Sequence, residues 1–337
     1  MKFNRILPFI SIFLFIGLTI FIIRIPNILW NETVSTTHPI DLRNYRYHFV
    51  MVVHDTEDSY WQQAKASAIE VSKTEQVALE YYGSRFSNLK ELERFLEMAV
   101  LSSADGILIS IPDQPEFRAL INEATLKKIP VLSLSSSIEG DEQISYVGIS
   151  TYDLGFKSGD ALNKAINRHV KVALLINSNF SSMSYKNYLK GFQSAIRRFP
   201  KISLEMVVNS KGESISAEEQ TQQILKNHPE IEAIVCTNPN DTLGVAKVVV
   251  DLNQVSQVTI IGSGLTNEIA NYIKRGVIWG VLAEDPRELG TQSISALVRL
   301  QNSQTFTENY NLPLILVGAR NVEKVFNEFN QPLRGNK

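Results

Sequence analysis

The chain has 337 residues, more than one hydrophobic core usually supports, so two packed units are expected. Its formal net charge of −2, with no zinc-finger spacing and no basic helix, argues against a nucleic-acid-binding surface. The single cysteine, Cys236, excludes an internal disulfide and a cysteine-rich metal site, and its place in the apolar run "EAIVC" predicts a buried thiol.

Residues 6–23 read "ILPFISIFLFIGLTIFII", an uncharged and mostly apolar run. As a helix it would span about 27 Å, close to the hydrocarbon thickness of a bilayer. Lys2 and Arg5 precede the run and Arg24 follows it, a bias toward a cytoplasmic N-terminus. A cleaved signal peptide has a shorter apolar region that ends at small residues. The following "RIPNILWNET" offers no such site, and Trp30 suits a membrane–water interface. Residues 1–30 are therefore expected to be a single-pass membrane anchor, or an uncleaved signal, and residues 31–46 a polar tether. Only the first five residues would face the cytoplasm, so the chain must act through a partner.

From Tyr47 on, short apolar runs alternate with helical periodicity. "HFVMVV" leads to the helix "WQQAKASAIEVSK", then come "VALEYY", the helix "NLKELERFLEMAVLSS", "GILISI", the helix "EFRALINEATLKK" and "IPVLSLS". The pattern then restarts with "KVALLI", the helix "YKNYLKGFQSAIRR", "ISLEMVV", the helix "SAEEQTQQILKNH", "EAIVC", the helix "TLGVAKVVVDL" and "VTIIGSG". Ser216 followed by Glu219 reads as a capping box at the head of "SAEEQTQQILKNH". Continuous apolar runs between amphipathic helices imply parallel sheets covered on both faces. The fold class is thus α/β, with two doubly wound parallel-sheet lobes behind one N-terminal transmembrane helix. In such sheets ligands bind beyond the carboxyl ends of the strands. The loops "HDTEDSYW", "SIPDQP", "LSSS", "NSNFSSMS", "CTNPND" and "GSGLT" all fall there.

The order and spacing of "VVHDTEDSYWQQ", "ADGILIS", "IPVLSLS", "KGFQSAI", "HPEIEAIVCTNPNDTLGVAK" and "VTIIGSG" resemble the ribose-type periplasmic sugar-binding proteins over roughly Tyr47 to Val325. The resemblance implies a three-crossing hinge near Ser150–Thr151, Ala283–Asp285 and Leu312–Pro313. Residues 47–150 and 285–312 would then form the first lobe, and 151–284 and 313–330 the second, with closure trapping a ligand. It further implies that Tyr60 and Trp61 take the places of the family's paired aromatics, with Asp58 in the polar position. Pyranose C–H faces pack on rings, and a carboxylate accepts bonds from two adjacent hydroxyls. The competing role for Tyr60 and Trp61 is to staple the helix start into the core. Asn238 falls where the family keeps an asparagine on sugar hydroxyls, although asparagine is also a common turn former. Glu284, at the second crossing, matches a position that often carries an amide to the ligand; its competing roles are a hinge contact or plain solvent exposure. The chain departs from the ribose pattern at Ser135 and Ser136 in place of an Asp–Arg pair, at Tyr188 in place of an arginine, and at Gly262, Ser263 and Gly264 in place of an aspartate. Ser135, Ser136 and Tyr188 become replacement contacts for a different sugar or small polyol.

The resemblance implies handover to an ABC permease or signalling through a membrane sensor histidine kinase. A degenerate binding protein that serves as a protein–protein sensory subunit is the second reading. LacI-type repressors share the two-lobe core but need a helix-turn-helix where this chain has its apolar run. The five histidines are scattered, with no H-E-x-x-H or G-x-S-x-G motif, and neighbouring His54 and Asp55 point apart on an extended chain. No enzymatic reaction, cofactor or metal is implied.

Overall fold

Strand β1 (Tyr47–Val53) sets the first lobe, because both of its faces are apolar and need cover. Phe49, Met51 and Val53 belong to one core cluster, Val50 and Val52 to another. This is the two-residue alternation of a strand buried on both sides. The computed structural model describes residues 44–85, 88–111, 114–135, 144–177, 180–302 and 309–331. The expected membrane segment and most of the tether lie outside them. Among the described residues no helix is long and apolar enough to cross a membrane.

The first sheet holds β1, β2 (Val77–Gly83), β3 (Gly106–Ser110), β4 (Val131–Ser135), β5 (Ser145–Gly148) and β11 (Asn309–Asn311), in the order β11-β5-β4-β3-β1-β2 and all parallel. Helices are numbered in chain order. On one face α1 (Ser59–Thr74) and α9 (Pro286–Asn302) bury Trp61, Ala64, Leu289 and Leu297. On the other, α2 (Leu89–Leu101) and α3 (Pro115–Leu126) bury Leu92, Leu96, Phe117 and Ile121.

The second sheet holds β6 (Val170–Asn177), β7 (Ile202–Ser210), β8 (Ile231–Cys236), β9 (Thr259–Ser263), β10 (Gly280–Ala283) and β12 (Ile315–Gly318), in the order β12-β10-β9-β8-β6-β7. Here β12 runs antiparallel to β10, an edge strand that departs from the all-parallel expectation. Helices α4 (Thr151–Ala165) and α5 (Ser182–Ile196) cover one face; α6 (Ser214–Asn227), α7 (Pro239–Asp251), α8 (Asn267–Lys274) and α10 (Val322–Asn330) cover the other. Cys236 is a free thiol buried in that second core.

The chain passes between the sheets after Gly148, after Ala283 and after Asn311. Helices α4 and α5 lie unusually close. A Cβ on Gly155 would stand 2.1 Å from the Tyr188 carbonyl oxygen, and one on Gly191 would stand 2.0 Å from that of Tyr152. Only glycine at both positions lets the two backbones meet.

The expected capping box does not form. Helix α6 begins at Ser214 with Glu213 as its N-cap, which makes no side-chain cap bond. Ser216 sits inside the first turn, where its hydroxyl accepts the Lys211 N–H at 3.4 Å.

Candidate functional site

The loop His54–Asp58 leaves β1 at the carboxyl edge of the first sheet and turns directly into α1. Two carboxylates hold the turn. Asp55 Oδ1 accepts the Glu57 N–H at 2.9 Å, and Asp58, the N-cap of α1, accepts the Tyr60 N–H at 2.8 Å. Asp58 thus spends one oxygen on an orphan helix donor.

The aromatic pair divides its work. Trp61 is buried in the first core, edge-on to Tyr60 at 5.3 Å and to the His54 ring at 5.5 Å. The staple role predicted as the alternative is the one Trp61 fills, because its indole packs under the sheet instead of standing in the open. Tyr60 is half-buried beside the first core, and its enclosed hydroxyl hydrogen-bonds the Glu284 carboxyl. Glu284 directly follows β10 of the second sheet, so this bond joins the first-lobe loop to the second crossing. Burial pushes the Glu284 carboxyl above its ordinary pKa, and the Tyr60 bond pulls it back. The next residue, Asp285, grips Arg287 with bonds of 2.6–3.2 Å, and Arg287 Nη1 donates to the Gln331 carbonyl at 3.1 Å.

On the second lobe, Asn238 is the N-cap of α7. Its Oδ1 accepts the Asp241 N–H at 2.9 Å, and its Nδ2 donates to Asp241 Oδ2. Both ends of the amide are therefore engaged by one residue, which fixes its orientation. Asp241 is fully buried and also accepts the Ser210 hydroxyl at 2.5 Å. Burial raises its pKa to about 6 against those two hydrogen bonds.

Tyr188 is a correction. It is fully buried in the second core, stacked on Phe192 at 6.5 Å, and burial drives its phenol pKa up. An arginine at that position would reach for solvent or a ligand; a tyrosine on the inner face of α5 is drawn into the apolar layer instead. Ser135 ends β4, paired in register with Gly148, and Ser136 lies outside the described residues.

His54, set aside with Asp55 in the sequence, packs its ring edge-on to Trp61 at the head of α1. Its Nδ1 pairs with the Ser110 hydroxyl at 3.2 Å, as the register Val53↔Ser110 requires at adjacent strand ends. Burial pushes the imidazole pKa down, against the pull of Ser110, Asp58 and Asp55. The sequence signal for that placement is its position one residue past a buried strand. Among the described residues no cluster of three or more acids, histidines and cysteines is arranged to hold a metal. A cavity of about 500 Å³ lined by His169, Lys171, Lys201 and Glu230 lies at the opposite, amino edge of the second lobe.

Residues 49–305 match the model of the Periplasmic binding protein domain family. Among curated proteins the chain is 20% identical over 300 residues to Periplasmic protein TorT of Escherichia coli K12, covering 87% of this chain and 83% of that one. It is 18% identical over 264 residues to the D-allose-binding periplasmic protein of the same strain, covering 76% and 85%. Among solved structures, GanP, a glucose-galactose binding protein from Geobacillus stearothermophilus, superposes with a TM-score of 0.75 at 28% identity, covering 81% of this chain and 98% of that one.

Proposed function

This chain belongs to the periplasmic binding protein domain family, and from that premise we propose that it is a receptor, anchored in the membrane by residues 1–30, that closes its two lobes on a sugar or related small polyol. The family is one of extracytoplasmic solute-binding proteins, not of enzymes. One observation carries the ligand reading: the Tyr60 hydroxyl, on the first-lobe loop, bonds the Glu284 carboxyl, which stands where the chain leaves the second sheet. Groups from both lobes thus already converge where a closing pair would enclose a solute.

In this reading the Tyr60 ring packs on the apolar face of the sugar, backed by buried Trp61. Asp58, the clamped amide of Asn238 and Glu284 supply partners for hydroxyls, with Ser135 and Ser136 as further contacts from the end of β4. The D-allose-binding relative and the glucose-galactose-binding GanP favour a monosaccharide. A tethered receptor cannot sweep its compartment for solute, which favours a membrane sensor histidine kinase over an ABC permease as the partner. The missing Asp–Arg clamps favour a second reading, a degenerate subunit that works by protein contact alone.

A thermal-shift panel of pentoses, hexoses and polyols separates the two. A ligand at about 100 times its dissociation constant adds roughly 2.7 kcal/mol of stability. A shift with one sugar supports the first reading; a folded protein that ignores the whole panel overturns it.

A further inference from the structure

The ligand loops occupy the carboxyl edge of the first sheet, and its opposite edge carries a surface of different chemistry. Because all six strands run parallel, they begin together on that edge, and the helices that precede them end there. Leu101, the last residue of α2, is 65% exposed; Leu126, the last of α3, is 84% exposed; Tyr45, just ahead of β1, is 42% exposed. Neither leucine belongs to the stripe its helix turns inward, which is Leu92, Leu96, Ala99 and Val100 in α2 and Phe117, Ile121 and Ala124 in α3. Exposed cations accompany them at Lys73 and Lys128. The acids nearby are partly committed: Glu123 pairs with Lys127 at 2.8 Å, and Asp105 accepts the His48 N–H at 2.8 Å.

The chain itself says what covers this edge. It enters the lobe here, at Asn44 to Tyr47, and in sequence the apolar run 6–23 lies upstream of that entry. We propose that the amino edge of the first lobe rests on an anionic phospholipid surface, with Leu101, Leu126 and Tyr45 in the interfacial layer and the lysines over the headgroups. This rests on the membrane-anchor reading above. Two leucines and a tyrosine would not hold a free protein on a bilayer, since even one acyl chain gives only marginal binding. A tether changes that by making the contact intramolecular, at an effective concentration in the millimolar range for a short linker. Docked by this edge, the first lobe directs its ligand loops away from the lipid.

The full chain, reconstituted in phosphatidylcholine–phosphatidylglycerol nanodiscs, carries a polarity-sensitive dye on Leu126→Cys or Leu101→Cys in a Cys236→Ala background. Ile215→Cys, 70% exposed on the second lobe, is the control. Blue-shifted emission and quenching by brominated lipid at 101 and 126, absent at 215, support the proposal, as does loss of the signal at 126 on adding Leu101→Asp. Chain that enters the discs while both dyes stay in water overturns the docking alone. Chain that never enters the discs overturns the anchor reading and the docking with it. A shift that grows with protein concentration in lipid-free detergent assigns the edge to a second copy and also overturns it.

Discussion

Replacing Tyr60 by phenylalanine tests the contact on which the ligand reading stands. The change keeps the ring against Trp61 and removes only the hydroxyl that bonds Glu284. Hydrogen bonds to charged groups contribute about 1.5–3 kcal/mol, and the carboxyl left behind is enclosed, so the expected loss with the carboxylate ionised lies in that range. The sign of its pH dependence follows from the raised pKa. Burial penalises the ionised Glu284 carboxyl; that penalty is absent below the unfolded pKa and grows as pH rises through the folded one. Tyr60→Phe raises the folded pKa further, so its cost should be larger at the more alkaline of two test pH values and shrink at the more acidic one, as Glu284 takes a proton. Urea denaturation of the wild type, Tyr60→Phe, Glu284→Gln and the double variant completes a cycle. The glutamine keeps an acceptor without a charge, so Tyr60→Phe should cost about 1 kcal/mol less in that background. Equal costs in both backgrounds and at both pH values would refute the argument.

Asp241→Asn should flatten part of the pH dependence of stability. With the carboxyl raised from 3.8 to about 6 in the fold, ionising it from about pH 4 to pH 7 costs the wild type about 2 kcal/mol that the variant does not lose, read by urea titration at the two ends. Gly155→Val should destabilise by about 1–3 kcal/mol or more, since its Cβ would meet the Tyr188 carbonyl at 2.1 Å and backbone cannot yield as a side chain does; a denaturation midpoint unchanged from wild type would contradict the close crossing. Tyr188→Phe should leave the affinity for any sugar found by the thermal-shift panel unchanged, because the phenol lies in the core; a tenfold loss by calorimetry would put Tyr188 back in the site.

The parallel strands and the helices between them were legible because each carries its own period. The run "HFVMVV" is apolar on both faces, and α2 repeats Leu92, Leu96 and Ala99 on one side. Helices α4, α8, α9 and α10 and the short strands β5, β10, β11 and β12 were not read. The strands are three or four residues long, too short for a pattern, and α4 is held by Gly155 and Gly159 against α5, where small residues replace an apolar stripe. At the candidate site, Asp58, Tyr60, Asn238 and Glu284 were chosen by their position in the chain. What each side chain was already bonded to could not be read there. Asn238 is occupied by Asp241 through a local contact that any helix cap makes, and Trp61 and Tyr188 follow the pull of their apolar neighbours, which depends on which face of the helix the core claims.

The first lobe is assembled from distant parts of the chain, and this bears on how it is made. On a ribosome the strands β1 to β5 emerge early, yet α9, which lays Leu289 and Leu297 over Phe49 and Met51, follows only after residues 151–283 have been synthesised. For that interval one side of a nascent five-stranded layer lacks a helix that should roof it. The second lobe waits in turn for β12 and α10. Each half is thus completed by segments made after most of its sister, and a sticky half-covered intermediate must be shielded until they arrive.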